Sequence, residues 1–280
     1  MKITNRRIAL LAGASVSVIG YAAPAFAATT VNPGVCQSNT GANVTETLDI
    51  TLVGHTGVTS VANPATAVVN SCATGAIVQG ANATGVAPPN GDVNATITNG
   101  AAGDVSIGAI AKATNAAGNA TAFASIFNYG VGQLGNGAGT VDLAINNDGS
   151  LLVEAQALST AAGVAVATAK FGGSNAYDWG YGIYQSATGV AHGGASAINV
   201  ALDNGASGKI TIDGTAGAHG ATATANAQPD WGIWQIGSGV KTVNVGLTNA
   251  GEIDVNAAAA ATGTKGAAHA SAALVGGIVQ

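Results

Sequence analysis

Two carboxylates and a set of aromatic rings are the residues of this chain best suited to chemistry. Asp178-Trp179-Gly180 and Asp230-Trp231-Gly232 stand 52 residues apart, with Tyr181, Tyr184 and Trp234 beside them. Two carboxyl groups flanking a glycosidic bond can act as general acid and base or nucleophile, and flat rings on an outer face can stack on sugars. The candidate binding residues are therefore Trp179, Tyr184, Trp231 and Trp234, and Asp178 and Asp230 are the candidate pair of a polysaccharide-cleaving protein. The simpler reading is that the two Asp-Trp-Gly copies occupy equivalent places in a repeat and that the rings cover a thin patch of core. His55, His192, His219 and His269 are scattered with no i, i+4 pair and read as surface or turn residues. Asn147-Asp148-Gly149 could turn around calcium, but the nine-residue glycine-aspartate repeat is absent, so it reads as a positive-φ turn. No Gly-x-Ser-x-Gly elbow, phosphate loop or zinc spacing occurs, and no cofactor or metal is expected.

The elements that must position these residues recur. A first element reads Ala76-Ile77-Val78-Gln79, Gly130-Val131-Gly132-Gln133, Gly182-Ile183-Tyr184-Gln185, Gly232-Ile233-Trp234-Gln235 and Gly277-Ile278-Val279-Gln280, its glutamines 54, 52, 50 and 45 residues apart. A second element follows as Val93–Asn99, Val141–Asn147, Ile198–Asn204 and Val243–Asn249. Its aliphatic residues alternate, which places them on one face of a strand, and its closing Asn with a following Gly suits a positive-φ turn. A third element resumes the alternation at Val105-Ser106-Ile107, Leu151-Leu152-Val153, Ile210-Thr211-Ile212 and Ile253-Asp254-Val255. Alanine-rich runs come next, as in Ala221 to Ala227 and Ala257 to Ala261. Alanine is the best helix former, yet the interleaved Gly, Thr and Asn and the alternation Ala-Thr-Ala-Thr-Ala favour narrow strands with small inward side chains.

Repetition at this period marks a solenoid. The expected fold is all-β, a parallel right-handed β-solenoid (β-helix) of ~50-residue repeats, with two rungs per unit. Two rungs per unit would leave Gln79, Gln133, Gln185, Gln235 and Gln280 too far apart to bond to one another. Loops at Ser174 to Asp178 and Ala191 to Ala195 would absorb the changing unit length.

Composition agrees. Gly reaches 42 of 280 residues while charged residues are 8%, a profile neither of a charged disordered chain nor of collagen, whose Gly recurs at every third place. Residues 1–27 read as a cleaved signal peptide: Lys2, Arg6 and Arg7, then an apolar stretch, then Ala25-Phe26-Ala27. Gly13, Ser15, Ser17 and Gly20 dilute that stretch too much for a membrane anchor, so no membrane span is expected. Beyond residue 27 the chain holds five Lys, no Arg and 13 acidic residues, a formal net charge of −8. Nucleic acid and anionic membrane need neutralising Lys and Arg and are excluded as partners. Cys36 and Cys72 are the only cysteines, and in an exported chain they are expected to form a disulfide. Residues 28–75 are expected as an N-terminal cap and 76–280 as the repeat body, which stops inside a fifth copy of the first element and so reads as part of a longer protein.

With its exported, Gly/Ala/Asn-rich, arginine-free repeats and Asn-x-Gly-x-Ile turns, as in Asn249-Ala250-Gly251-Glu252-Ile253, the chain resembles the β-helical passenger regions of Gram-negative autotransporters and large surface adhesins. The resemblance covers about residues 76 to 280. It implies a cell-surface or extracellular location, outer-membrane associated in a longer precursor. The expected function is a non-enzymatic structural stalk or adhesin whose partner is a host or environmental surface, a glycan or another cell-surface component. The alternatives are the polysaccharide-binding or polysaccharide-cleaving β-helix and, from the Ala-Thr run, an ice-binding solenoid.

Overall fold

Alternating small and aliphatic residues bounded by Asn and Gly make strands here, including the alanine runs. A computed structural model describes residues 28–32, 34–69, 72, 75–85, 91–172, 179–189, 197–239 and 241–280. Over those residues every regular element is a strand. The first coil runs β2 (Val35–Gly41), β3 (Val44–Asp49), β4 (His55–Val61) and β5 (Ala65–Val69), and the second β6 (Gly75–Ala83), β7 (Val93–Asn99), β8 (Asp104–Asn115) and β9 (Ala120–Ile126). The third is β10 (Tyr129–Gly137), β11 (Val141–Asn147), β12 (Ser150–Ala161) and β13 (Val164–Phe171). The fourth is β14 (Tyr181–Gly189), β15 (Ala197–Asn204), β16 (Lys209–Gly220) and β17 (Thr222–Gln228). The fifth is β18 (Trp231–Ser238), β19 (Thr242–Asn249), β20 (Glu252–Gly263) and β21 (Ala268–Ala272), after which β22 (Gly276–Val279) begins a sixth.

Strands at the same place in successive coils pair in parallel and build four sheets: sheet I from β2 to β22, sheet II from β3 to β19, sheet III from β4 to β20, sheet IV from β5 to β21. The protein is a parallel β-solenoid. The four asparagine-terminated segments lie side by side in sheet II. The segment expected as a cap supplies the first strand of every sheet, and β1 (Ala28–Asn32) runs antiparallel along β4, covering that edge of sheet III. Residues 1–27, expected as the signal peptide, and the loops expected at 174–178 and 191–195 lie outside the described residues.

One expectation is corrected. Each unit makes one coil, not two, because the strands of sheet III from β8 to β20 are each 12 residues long and a single circuit uses the whole unit. Gln133 therefore lies directly beside Gln79 and Gln185, and the glutamines do form a column. Gln79 Nε2 donates to Gln37 Oε1 at 2.9 Å, Gln133 to Gln79, Gln185 to Gln133 and Gln235 to Gln185 at 2.8 Å each, and Gln280 to Gln235 at 2.9 Å. Each interior Nε2 has a second acceptor on sheet II; that of Gln133 bonds Ala95 O at 3.0 Å and Ala144 O at 3.1 Å. The column thus ties two sheets together through the interior.

A second column closes the other end of sheet II. Asn99 Nδ2 donates to Asn147 Oδ1 and Asn147 Nδ2 to Asn204 Oδ1 at 2.7 Å, and Asn204 Nδ2 to Asn249 Oδ1 at 2.6 Å. The positive-φ turn expected here is absent: neither these asparagines nor Gly149, Gly208 and Gly251 take the left-handed region. Asn is present to stack, and Gly because the turns lie so close. A Cβ on Gly208 would sit 2.3 Å from Asn147 O and from Asn204 Oδ1, and one on Gly251 2.1 Å from Gly208 O.

Sheets III and IV face each other through alanine. Ala109, Ala111 and Ala113 of β8 and Ala120, Ala122 and Ala124 of β9 are buried, as are their counterparts in the third and fourth coils. Cα atoms of β12 approach those of β9 to within 8 Å, closer than the ~10 Å usual for stacked sheets, so only small side chains fit; the one Ser in the inward row of β12, Ser159, donates across to Ala120 O at 2.9 Å. Bulkier Val, Ile and Leu fill the wider space toward sheet II. The Cys36–Cys72 bond, with Cα atoms 5.6 Å apart, joins β2 to the segment entering β6. In the chain-entropy model it lowers unfolded-state freedom by about 4 kcal/mol.

One carboxylate breaks the apolar pattern. Glu46 of β3 points inward, beneath Ala95 of β7, 8% exposed, and its Oε1 has no hydrogen-bond partner among the described residues. Burial pushes its carboxyl from 4.5 up to about 7.

Two predictions follow from this interior. Gln133→Ala removes the donor to Gln79 Oε1 and one of the two acceptors of Gln185 Nε2 inside the coil and should cost about 2–4 kcal/mol in chemical denaturation, clearly more than Gln37→Ala at the column's end; equal costs would refute a cooperative column. Between pH 4.5 and 7 the unfolded chain releases the Glu46 proton while the folded chain keeps it, so stability is full below 4.5 and falls as pH rises through 7. The loss is at most about 3 kcal/mol, and Glu46→Gln should remove that part of the pH dependence of the denaturation midpoint.

Candidate aromatic surface

Sheet I turns its glutamines and the aliphatic residue two places before each of them inward, and its rings outward. Ile183, Gln185, Ile233 and Gln235 are buried, while Tyr184 and Trp234 between them lie on the outer face, as alternation predicts. The alternation fails one step earlier. Gly182 and Ile183 are both buried, as are Gly232 and Ile233, a local irregularity of the kind a bulge produces. Tyr181 and Tyr184, three residues apart, therefore both face outward, and so do Trp231 and Trp234. The fourth and fifth coils then each present two adjacent rings in place of one.

The rings form one continuous strip. Tyr129 stacks on Tyr184 with centroids 4.8 Å apart and planes at 7°. Tyr181 meets Tyr184 at 4.9 Å and Trp234 at 5.6 Å, Trp231 meets Trp234 edge-on at 4.7 Å, and Trp179 meets Trp231 at 5.9 Å. These six are all the Trp and Tyr of the described residues. Asn128, at φ 57°, turns the chain from β9 into β10 and so delivers Tyr129 to the strip. Small residues leave room for the rings. A Cβ on Gly132 would lie 2.5 Å from Tyr129 Cδ2, and one on Gly276 2.4 Å from the Trp231 ring. Five of the rings are half-buried against one another and this glycine floor; Trp179 is 49% exposed.

All four ring residues expected from the sequence, Trp179, Tyr184, Trp231 and Trp234, are thus brought together. Tyr129 was not expected and Tyr181 was given no role, although both stand four residues before a glutamine of the column, as Trp231 does. Counting back from the glutamines would have found them. The two Asp-Trp-Gly copies are not equivalent: β14 and β18 pair Tyr181 with Trp231, which sets Asp230 opposite Gly180 and leaves Trp179 two residues early. Repetition therefore does not account for Asp230. Burial holds its carboxyl above the ordinary range, against the Gly180 backbone hydrogen bond and the Lys170 charge, which pull it down. Asp178 lies outside the described residues, as does His192.

Burial also raises the phenols of Tyr129 and Tyr181, helped in each case by the neighbouring Tyr184 and, for Tyr181, by Tyr129 and Asp230 as well. These rings stay neutral at any ordinary pH, offering flat faces and hydroxyl groups. Elsewhere on the surface His55 bonds Ser106 at 3.1 Å, and His55, His219 and His269 are exposed. The Asn147-Asp148-Gly149 turn belongs to the asparagine column. Among the described residues no three His, Cys, Asp or Glu side chains gather as a metal site, and no helix is long and apolar enough to cross a membrane.

Compared with family models, curated proteins and solved structures, the chain has no match.

The glycine floor is testable. Gly132→Ala should push Tyr129 off Tyr184, weaken the near-ultraviolet circular dichroism of the aromatic groups and cost about 1 kcal/mol. An unchanged near-ultraviolet spectrum would show that the stack does not depend on the space Gly132 leaves.

Proposed function

We propose that this chain is an exported, non-enzymatic β-solenoid that serves as a stalk and adhesive surface of a bacterial cell, in the manner of an autotransporter passenger. One observation carries the reading: the Trp and Tyr residues of the described chain are gathered on one outer strip of an otherwise small-residue and polar coil. Rings placed on the outside of a rigid rod, where the interior has no use for them, suit contact with another surface. The charge balance supports the same partner class, a surface or glycan in place of nucleic acid or anionic lipid.

A second reading, polysaccharide cleavage, is favoured by the raised Asp230 carboxyl beside the strip, which would suit a proton donor. Release of reducing ends by the purified chain, lost in Asp230→Asn, would decide for it.

For the first reading, cells producing the full chain should carry it where added protease and antibody reach it without lysis, with a mature N-terminus at Ala28. Retention in the cytoplasm with Met1 intact would overturn it.

A further inference from the structure

Beside the aromatic strip, on the same outer face of sheet I, lies a shallow groove of about 320 Å³ whose walls include Ser38, Asn82, Leu134, Asn136, Ser186 and Thr188. Its position follows from register. Ser186 and Leu134 stand two residues beyond Tyr184 and Gly132 on their strands, one outward step of about 7 Å. The groove crosses the first four coils and the strip the third to fifth. Together they make one oblique surface rising about 20 Å across the stack.

We infer that strip and groove form a single binding surface for a neutral polysaccharide chain; the inference rests on the adhesive reading above and names its ligand. Three observations carry it. The strip offers ring faces, which pair with the apolar faces of pyranose rings. The groove offers hydroxyl and amide groups with no charged side chain on its walls. The side-chain amides of Asn82 and Asn136 are exposed and bond to no other described side chain, unlike the outer column of sheet II, where Asn199 is tied to Asp142 at 2.6 Å and Asn244 to Asn199 at 2.8 Å. Their donors and acceptors are available to sugar hydroxyls.

Charge selects among polymers. Beyond residue 27 the chain holds five Lys against 13 acidic residues, and Asp230 stands beside the rings, so an anionic polymer is repelled where a neutral one is not. A protein partner fits less well, since binding hot spots seat aromatic anchors in desolvated pockets and this groove is shallow and open, with hydroxyl and amide groups along its walls.

All three tryptophans of the chain, Trp179, Trp231 and Trp234, lie in the strip, so tryptophan emission of the unmodified protein reports this surface alone. Titration with soluble β-1,4-glucan, xyloglucan, mannan and galactan should give a saturable change with at least one of them. Affinity gel electrophoresis should show retardation by that same polymer and none by polygalacturonate. Tyr184→Ala and Asn136→Arg, the latter at an exposed position that leaves the rings and the fold alone, should each weaken retardation about tenfold. No emission change or retardation with any neutral polymer would overturn the inference, as would equal retardation by polygalacturonate or full binding by Asn136→Arg. Surface exposure on cells is a separate readout: a surface-exposed chain that binds no glycan sinks this inference alone, and a glycan-binding chain retained in the cytoplasm sinks the adhesive reading alone.

Discussion

Everything in this molecule depends on stacked amides held in register. A Gln in the interior of sheet I recurs in every coil and an Asn at the end of sheet II in every coil from the second to the fifth, and each inner copy bonds to those above and below. A buried amide has no good alternative to its neighbour, since leaving it unpaired costs the whole desolvation penalty. A shift of one residue between coils would turn the Gln outward and an apolar or aromatic residue inward. The columns therefore fix register even though the units differ in length, and the length differences are left to the connections between strands.

The same constraint explains the composition. With one long circuit per unit and two sheets brought within alanine distance, the inward positions where sheets III and IV face each other are filled mainly by alanine. Alanine's helical preference amounts to a few tenths of a kcal/mol per residue against strand formers, and pairing with two neighbouring coils outweighs it, so the alanine runs become strands. A thin interior gives little hydrophobic burial per residue. Cohesion comes from dense parallel hydrogen bonding and the amide columns, with the disulfide at the first coil adding to it. Glu46 stands at that same coil, where the interior is covered on one side only, and a carboxyl is tolerated there that the later coils replace with Ala95, Leu143 and Val200.

The repeat, the strands and the parallel stack were legible because aliphatic alternation and the Gln and Asn spacings are properties of the sequence. The disulfide was legible from the cysteine count. The number of coils per unit was not, because it depends on how far each circuit travels, which strand patterns alone do not reveal. Nor was the reason for Asn-x-Gly: a turn that needs Gly for close approach looks, in sequence, like one that needs it for positive φ. Among the rings, Trp179 and Trp231 were matched by their local Asp-Trp-Gly motif when the glutamine register matches Tyr181 with Trp231. The irregularity at Gly182 and Gly232 hid the rest, because strict alternation would have turned Tyr181 and Trp231 toward the interior.

That irregularity ties the frame to the proposed binding surface. In a regular strand only one outward residue in two is available, and rings on adjacent coils would meet only along the axis. Two consecutive buried residues turn a three-residue spacing into a pair of outward neighbours, so rings touch along the strand as well as across coils. The interior could have been closed without Tyr129 or Trp231, as the second coil closes it with Gly75 in that place. The rings thus add nothing that the coil requires, while Gly132 and Gly276 keep space clear beneath them. Side chains held by one another and by a backbone floor lose little freedom when something flat is laid upon them, and that preorganisation is what a weakly interacting, repetitive ligand demands of a surface.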